Sequence, residues 1–278
     1  MKRKIMRDDS FLELFFPDTD ARAIALLVHG LNLKPSRMTA IMKQLNSDGV
    51  IVINMALTGH RGNYADLIQV TREDWLQDYA DAWETIEQLR EHNGPLPLYF
   101  VGNSLGALTF VDYVTENPQT DFSRAVFLAP ALALRWRSML LKPLARISPR
   151  LPIPSASRLV DRMYHRLPVQ CYQALYYAFA HVQQKLQKTP LTIPSLIYIH
   201  PKDELVSYHG LLKLVEEQHI VNSKLMDLSQ LGAAGAGFYH MIVDQETMGT
   251  LPWQRFCRDL QSFLRCTTDK AAGVAAKS

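Results

Sequence analysis

The chain alternates short, nearly continuous apolar runs with longer segments in which apolar residues recur every three or four positions. The runs Ala23–Val28, Val50–Met55, Leu98–Val101, Ala125–Leu128 and Leu196–Ile199 contain almost no polar residue. Strands of that kind are buried on both faces, as in a parallel sheet covered by helices. Phe11 to Phe16, stopped by Pro17, predicts an antiparallel edge strand, and Lys224 to Leu228 a last inner strand. Between the strands, Thr71 and Asp74 have capping-box spacing, and Trp75, Tyr79, Ala82, Trp83, Ile86 and Leu89 follow at helical intervals. Further helices are expected over 37–47, 105–116, 208–218 and 251–264. This alternation predicts an α/β protein with a doubly wound, mostly parallel sheet.

Composition narrows the setting. With 278 residues, 47% of them apolar and 21% charged, the chain can bury a large core and is neither disordered nor of low complexity. No run of eighteen apolar residues occurs, so no membrane-spanning helix is expected. The start, Met1-Lys2-Arg3-Lys4, reaches Asp8-Asp9 before any apolar stretch, which argues against a secretory signal. Cys171, Cys257 and Cys266 form no C-x-x-C pair and no metal-ligand spacing; a reducing cytoplasm fits them best. A formal charge of +3 gives no reason to expect a nucleic-acid partner.

That charge is unevenly spread. Residues 133–195 hold ten Lys or Arg against one acid, Asp161, so they carry +9 and leave −6 for the rest of the +3 total. The same stretch holds seven of the fifteen prolines. It reads as an inserted unit in a core made of residues 1–132 and 196–266, with 267–278 as a small, polar, flexible tail.

Candidate chemistry centres on Gly102-Asn103-Ser104-Leu105-Gly106, directly after one strand and directly before one helix. A G-x-S-x-G sequence in that context is a nucleophile elbow, which lifts the serine hydroxyl above a helix N-terminus. A serine needs a base, and the base an orienting carboxylate. Asp203 follows the next strand, with Glu204 as its nearest rival. His240 follows the last inner strand and the Gly/Ala-rich loop 232–237. Among the other histidines, His200 and His209 lie too close to Asp203 in sequence, and His219 ends a helix. His92, His165 and His181 read as surface or packing residues. The backbone N–H groups of Leu105 and of Leu31, in Val28-His29-Gly30-Leu31, are the candidate oxyanion donors.

These residues resemble the α/β-hydrolase superfamily, in particular bacterial carboxylesterases and monoacylglycerol lipases. The likeness rests on His29-Gly30, on Leu57-Thr58-Gly59-His60-Arg61-Gly62, on the elbow around Ser104, and on His240 to Glu246. Arg61 occupies the usual second glycine position of the Gly59-His60 turn. The resemblance implies an α/β-hydrolase fold with a helical cap inserted after the sixth strand, and a carboxylic ester hydrolase working through Ser104, His240 and Asp203 with no cofactor and no metal. A thioesterase or carbon–carbon bond hydrolase on the same residues, and a non-catalytic lipid-binding member of the fold, are the alternatives.

In the insert, Leu134, Trp136, Met139, Leu140, Leu141, Leu144 and Ile147 either line an acyl pocket or fasten the cap to the core. Tyr172, Tyr176, Tyr177 and Phe179 read as core. His29 reads chiefly as a prop for its loop, and together with His60, Trp136, Met139 and Met241 it is a candidate substrate contact. The basic residues form a solvated face, a contact with an anionic membrane that would place the protein at the inner membrane face, or a site for an anionic group of the substrate.

Overall fold

The computed structural model describes residues 11–155, 157–232 and 238–265. The basic start, most of the 232–237 loop, Cys266 and the 267–278 tail lie outside the described residues, as do the side chains of residues 145–147, Ile147 among them.

Seven strands form the main sheet: β1 (Leu12–Phe15), β2 (Ala23–Val28), β3 (Val50–Met55), β4 (Leu98–Asn103), β5 (Phe122–Leu128), β8 (Ser195–Ile199) and β9 (Ser223–Asp227). Their spatial order is β1-β3-β2-β4-β5-β8-β9, with β1 antiparallel to β3 and every other pairing parallel. A second, two-stranded sheet pairs β6 (Pro152–Pro154) with β7 (Arg166–Pro168) in the insert. The helices are α1 (Thr39–Ser47), α2 (Tyr64–Gln69), α3 (Arg72–Asn93), α4 (Leu105–Glu116), α5 (Lys142–Ile147), α6 (Val169–Lys188), α7 (Tyr208–Glu216), α8 (Gln245–Met248) and α9 (Thr250–Arg265).

Strand alternation explains why the apolar runs are continuous. Ile24, Leu26, Val28, Ile51 and Ile53 point into a core shared with Trp75 and Tyr79 of α3 and Phe110 of α4. Their neighbours Ala23, Ala25, Leu27, Val50 and Val52 point to the other face, toward Ile41 and Leu45 of α1 and Phe256 and Leu260 of α9. Both faces are covered, so both parities must be apolar. Helix α3 starts at the reciprocal cap formed by Thr71 and Asp74.

In chain order the insert follows the fifth of the described strands, β5, not a sixth. One antiparallel edge strand and four parallel strands account for every described strand before it. The insert itself is of two kinds. Cys171, Ala174, Ala178, Val182 and Leu186 of α6 share one hydrophobic cluster with Ala107, Leu108 and Val111 of α4, so α6 packs as a helix of the core. Residues 157–164 instead run beside the loop that leaves the carboxyl end of β2, with Arg162 bridged to Leu33 and Tyr164 bonded to Asn32.

Part of the insert's basic charge is engaged internally. Asp161, fully buried, pairs with Arg158 at 2.6 Å and Arg37 at 2.8 Å. The Arg135 guanidinium donates to the carbonyls of Pro201 and Val206 at 3.0 and 3.3 Å. His181 and Lys185 of α6 bind Glu116 of α4 at 2.9 and 3.3 Å. His181 and Arg72 also clamp the buried Asp112 carboxylate, each at 2.7 Å. Arg137 makes no ion pair among the described residues; its guanidinium lies 5.5 Å from the Trp136 ring.

Candidate active site

The turn from β4 into α4 forces Ser104 to φ 48° and ψ −107°, a region that L-residues seldom enter. The bend is held by Ser104 N–H and the Asn103 side-chain amide, which donate to the Leu128 carbonyl at 2.9 and 3.1 Å. It also requires small neighbours. A Cβ on Gly106 would lie 2.7 Å from the carbonyl oxygens of Val28 and His29. On Gly30 it would lie 2.5 Å from Asn103 Oδ1 and 3.2 Å from Ser104 Cβ. These two glycines let the β2 loop and the elbow touch.

Ser104 Oγ is 2.9 Å from His240 Nε2, and His240 Nδ1 is 2.9 and 3.1 Å from the two oxygens of Asp203. Asp203 has no solvent exposure, and Ser104 and His240 have 7% and 6%. The Asp203 carboxylate is fixed by the N–H groups of Leu205 and Val206, which donate to Oδ1 at 2.8 and 2.7 Å. An ionised carboxylate only accepts, so the imidazole proton facing it sits on Nδ1, and Nε2 is left with a lone pair toward the serine hydroxyl. That is the protonation state a general base needs. Asp203, His240 and Ser104 are thus brought together from three separate loops at the carboxyl edge of the sheet.

Glu204 takes a different part from the one its rivalry with Asp203 would give it. Its two oxygens accept the N–H groups of Tyr239 and His240 at 3.0 and 3.1 Å, so it anchors the backbone that carries the imidazole. The acidic pair was visible in sequence; the division of labour was not.

Leu31 borders the same cavity as Ser104 and His240, while Leu105 is the first residue of α4. N–H groups of the first helical turn have no partner within the helix, which leaves the one on Leu105 available to a ligand. The cavity holds about 260 Å³. Ser104 and His240 border it, and Leu134, Leu141, Leu167, Tyr172, Leu175 and Tyr176 from the insert form much of its wall.

Of the candidate substrate contacts, only Met241 borders this cavity. His29 and His60 lie behind the β2 loop, with rings 4.7 Å apart and 0% and 1% exposure. His29 Nε2 accepts the Leu57 N–H at 3.1 Å and its Nδ1 donates to the Gly30 carbonyl at 2.8 Å. His60 Nε2 accepts the Asn32 N–H at 2.8 Å. Both rings therefore hold loop backbone. Trp136 is 69% exposed on a neighbouring surface cleft, and Met139 packs against the core. Both lie in the four-residue 3-10 turn Trp136–Met139, of which Arg137 and Ser138 border the catalytic cavity. Tyr172 and Tyr176, read as core, pack with the core cluster and also border the cavity. Arg61 is also structural: it binds Asp78 and the Ala56 carbonyl and lies 4.0 Å above the Phe11 ring.

Burial pushes His29 down to about 4 and His60 well below its ordinary value. A histidine depressed in the folded state binds its proton only on unfolding, so each of these two weakens the fold as pH falls below about 6.5. Desolvation raises Asp78 to about 6 despite its Arg61 partner. Its protonated form is the one the fold prefers, so it acts in the opposite sense between about 4 and 6. Two histidines outweigh one carboxyl, and unfolding free energy is expected to fall by about 1.4 kcal/mol per pH unit from 6.5 toward 5. Denaturant unfolding across that range measures it; a flat profile would contradict the neutral pair.

Fold and geometry together define the class: an α/β-hydrolase in which a hydroxyl, an imidazole and a carboxylate stand in hydrogen-bonded series. Comparison with known proteins agrees. The chain belongs to the hydrolase family described as serine aminopeptidase, S33 (Hydrolase_4), which it matches over residues 19–247. It is 24% identical over 225 residues to a monoacylglycerol lipase of Mycolicibacterium smegmatis, covering 73% of this chain and 78% of that one. A soluble variant of monoglyceride lipase from Saccharomyces cerevisiae superposes with a TM-score of 0.72 at 17% identity, over 95% of this chain and 94% of that one. The monoacylglycerol lipase of Paleococcus ferrophilus gives 0.63 at 20% identity, over 91% and 98%.

Proposed function

We propose that the protein is a serine esterase that cleaves carboxylic esters carrying a single acyl chain, such as a monoacylglycerol, a lysophospholipid or a short-chain ester. The observation that carries this reading is the Ser104–His240–Asp203 series opening into a cavity with largely apolar walls. At about 260 Å³ the cavity falls just below the range of roughly 300–1,000 Å³ common for small-ligand sites, which suits one acyl chain better than two.

In the proposed reaction, His240 Nε2 takes the proton of Ser104 as its oxygen attacks the ester carbonyl. The Leu31 and Leu105 amides receive the developing oxyanion. Asp203 stabilises the imidazolium without accepting its proton. His240 then protonates the departing alcohol, and the Ser104 acyl ester remains. A water molecule, deprotonated by the same imidazole, hydrolyses it and restores the hydroxyl. The relatives named as monoacylglycerol lipases support a lipid-derived ester.

The same reading includes a lipid surface as partner. Trp136 and Leu140 are 69% and 61% exposed, close in sequence to Arg137, which borders both the catalytic cavity and the cleft beside it. Apolar side chains beside a cation with no ion pair among the described residues suit an anionic bilayer face. Hydrolysis of p-nitrophenyl esters from acetate to palmitate, with phosphatidylglycerol or phosphatidylcholine vesicles, tests both statements. The expected result is turnover with a maximum at intermediate chain length, enhanced by the anionic vesicles alone. Absence of turnover at every length contradicts the esterase reading, and equal rates with both vesicles contradict the surface contact.

A further inference from the structure

Next to the candidate oxyanion donor Leu31 stands a residue to which neither motif nor family likeness gives a role. Asn32 is 1% exposed and has φ +57°, a left-handed backbone that asparagine adopts more readily than most side chains. Its hydrogen bonds run in two directions. Inward, its backbone N–H donates to His60 Nε2 at 2.8 Å. Outward, everything else goes to the insert: Nδ2 donates to Ser155 Oγ at 2.8 Å and to the Tyr164 carbonyl at 2.9 Å, and Oδ1 accepts the Tyr164 N–H at 2.8 Å. The Asn32 carbonyl accepts the Met163 N–H, also at 2.8 Å.

The segment that Asn32 grips is itself fastened to residues that follow His240 in the chain. Arg158 binds Asp161 and reaches Glu246 at 2.9 Å, while Arg37 joins Asp161 to Asp244 at 2.6 Å. Asp244 and Glu246 lie a few residues beyond His240. One strap of the insert is therefore bonded directly to the loop of the candidate oxyanion donor and, through Arg158, to α8, the short helix that follows the candidate base.

Resting on the esterase reading, we propose that Asn32 is a positioning residue through which the insert sets the aim of the Leu31 amide. The insert then acts as part of the catalytic frame as well as the roof of the cavity. Donors count only where the transition-state oxygen will sit, and a displacement of about 1 Å is enough to cost about a hundredfold in rate. With His60 bonded to one side of the Asn32 peptide and the strap to the other, the Leu31–Asn32 segment is fixed from both flanks.

Asn32→Gly is the informative variant. Glycine accepts φ +57° without strain and keeps the N–H to His60, so it removes only the side-chain bridge to the strap. Active-site titration gives the number of competent sites, and kcat is read per titrated site on the best p-nitrophenyl ester. The expected result is a kcat lower by about 10- to 100-fold with KM changed by less than about threefold, since the lost alignment matters in the transition state. Affinity for a trifluoromethyl ketone, which forms a tetrahedral adduct, should fall in parallel with kcat/KM. Ser155→Ala, which deletes the Asn32 Nδ2 bond and a longer one from the Ser157 N–H within the strap, should shift kcat in the same direction by a smaller factor and serves if the glycine variant fails to fold.

A role confined to stability would reduce the titrated fraction and leave kcat per site unchanged. A wild-type-like kcat per site in Asn32→Gly, or in Ser155→Ala where the glycine variant does not fold, overturns the inference and leaves the esterase reading standing. A wild type without Ser104-dependent turnover overturns that reading, and the inference with it.

Discussion

Ser104→Ala is expected to melt within a few degrees of the wild type and to lose about six orders of magnitude in kcat. The fold has little to lose because the hydroxyl's hydrogen bond runs to His240 Nε2 alone among the described residues. Alanine at φ 48° meets the same backbone restriction as serine, so the strained turn is no worse. Activity is lost almost wholly because neither the imidazole nor the oxyanion donors can form an acyl-enzyme by themselves. Groups that act as a unit are far from additive, so adding His240→Ala to Ser104→Ala should slow the enzyme no further. A double variant much slower than either single one would mean that the two side chains act separately. Thermal unfolding and initial rates on one ester settle the point.

Asp203→Asn should give the second-largest loss, about 10⁴ in kcat, with KM little changed. Here the argument is tautomeric. The new side chain would keep its Oδ1 on the N–H groups of Leu205 and Val206, the bonds that now fix the carboxylate at 2.8 and 2.7 Å. Its amide nitrogen would then face His240 Nδ1 and donate to it. The imidazole proton would move to Nε2, which would point a hydrogen at Ser104 in place of a lone pair. Geometry survives and base catalysis does not. A loss of less than about tenfold would show that Asp203 does not set the tautomer.

The sheet was largely readable from sequence because strands buried on both faces leave no polar gaps: Ala23–Val28 and Val50–Met55 match β2 and β3 residue for residue. The elbow was readable because its signal is local, five residues between one strand and one helix. Asp203 and His240 needed more, the expected chain order added to their positions after strands.

Contacts across long sequence separations left no such trace. Asp112 and Asp161 are buried acids; Arg72 and His181 hold the first from far along the chain, and Arg37 likewise joins the neighbouring Arg158 on the second. Nothing around either acid marks it as internal. The β6–β7 hairpin is equally silent, since Pro152, Pro154 and Pro168 weaken any strand pattern in three-residue strands. In the insert, apolar residues without a sustained period fix no facing direction. Leu134 and Leu141 therefore turn into the cavity while Trp136 turns to solvent, and no sequence rule separates them. The neutral His29–His60 pair shows the same limit: both lie in motif positions, but burial alone decides that they support backbone.

The claim on which everything else rests is that Ser104 is the nucleophile. It is tested most directly by treating the wild-type protein with a fluorophosphonate and locating the adduct by peptide mass spectrometry. The account predicts a single adduct on the peptide carrying Ser104, absent when the protein is first treated with a tightly bound trifluoromethyl ketone. An adduct on another residue, or none at all, would contradict it.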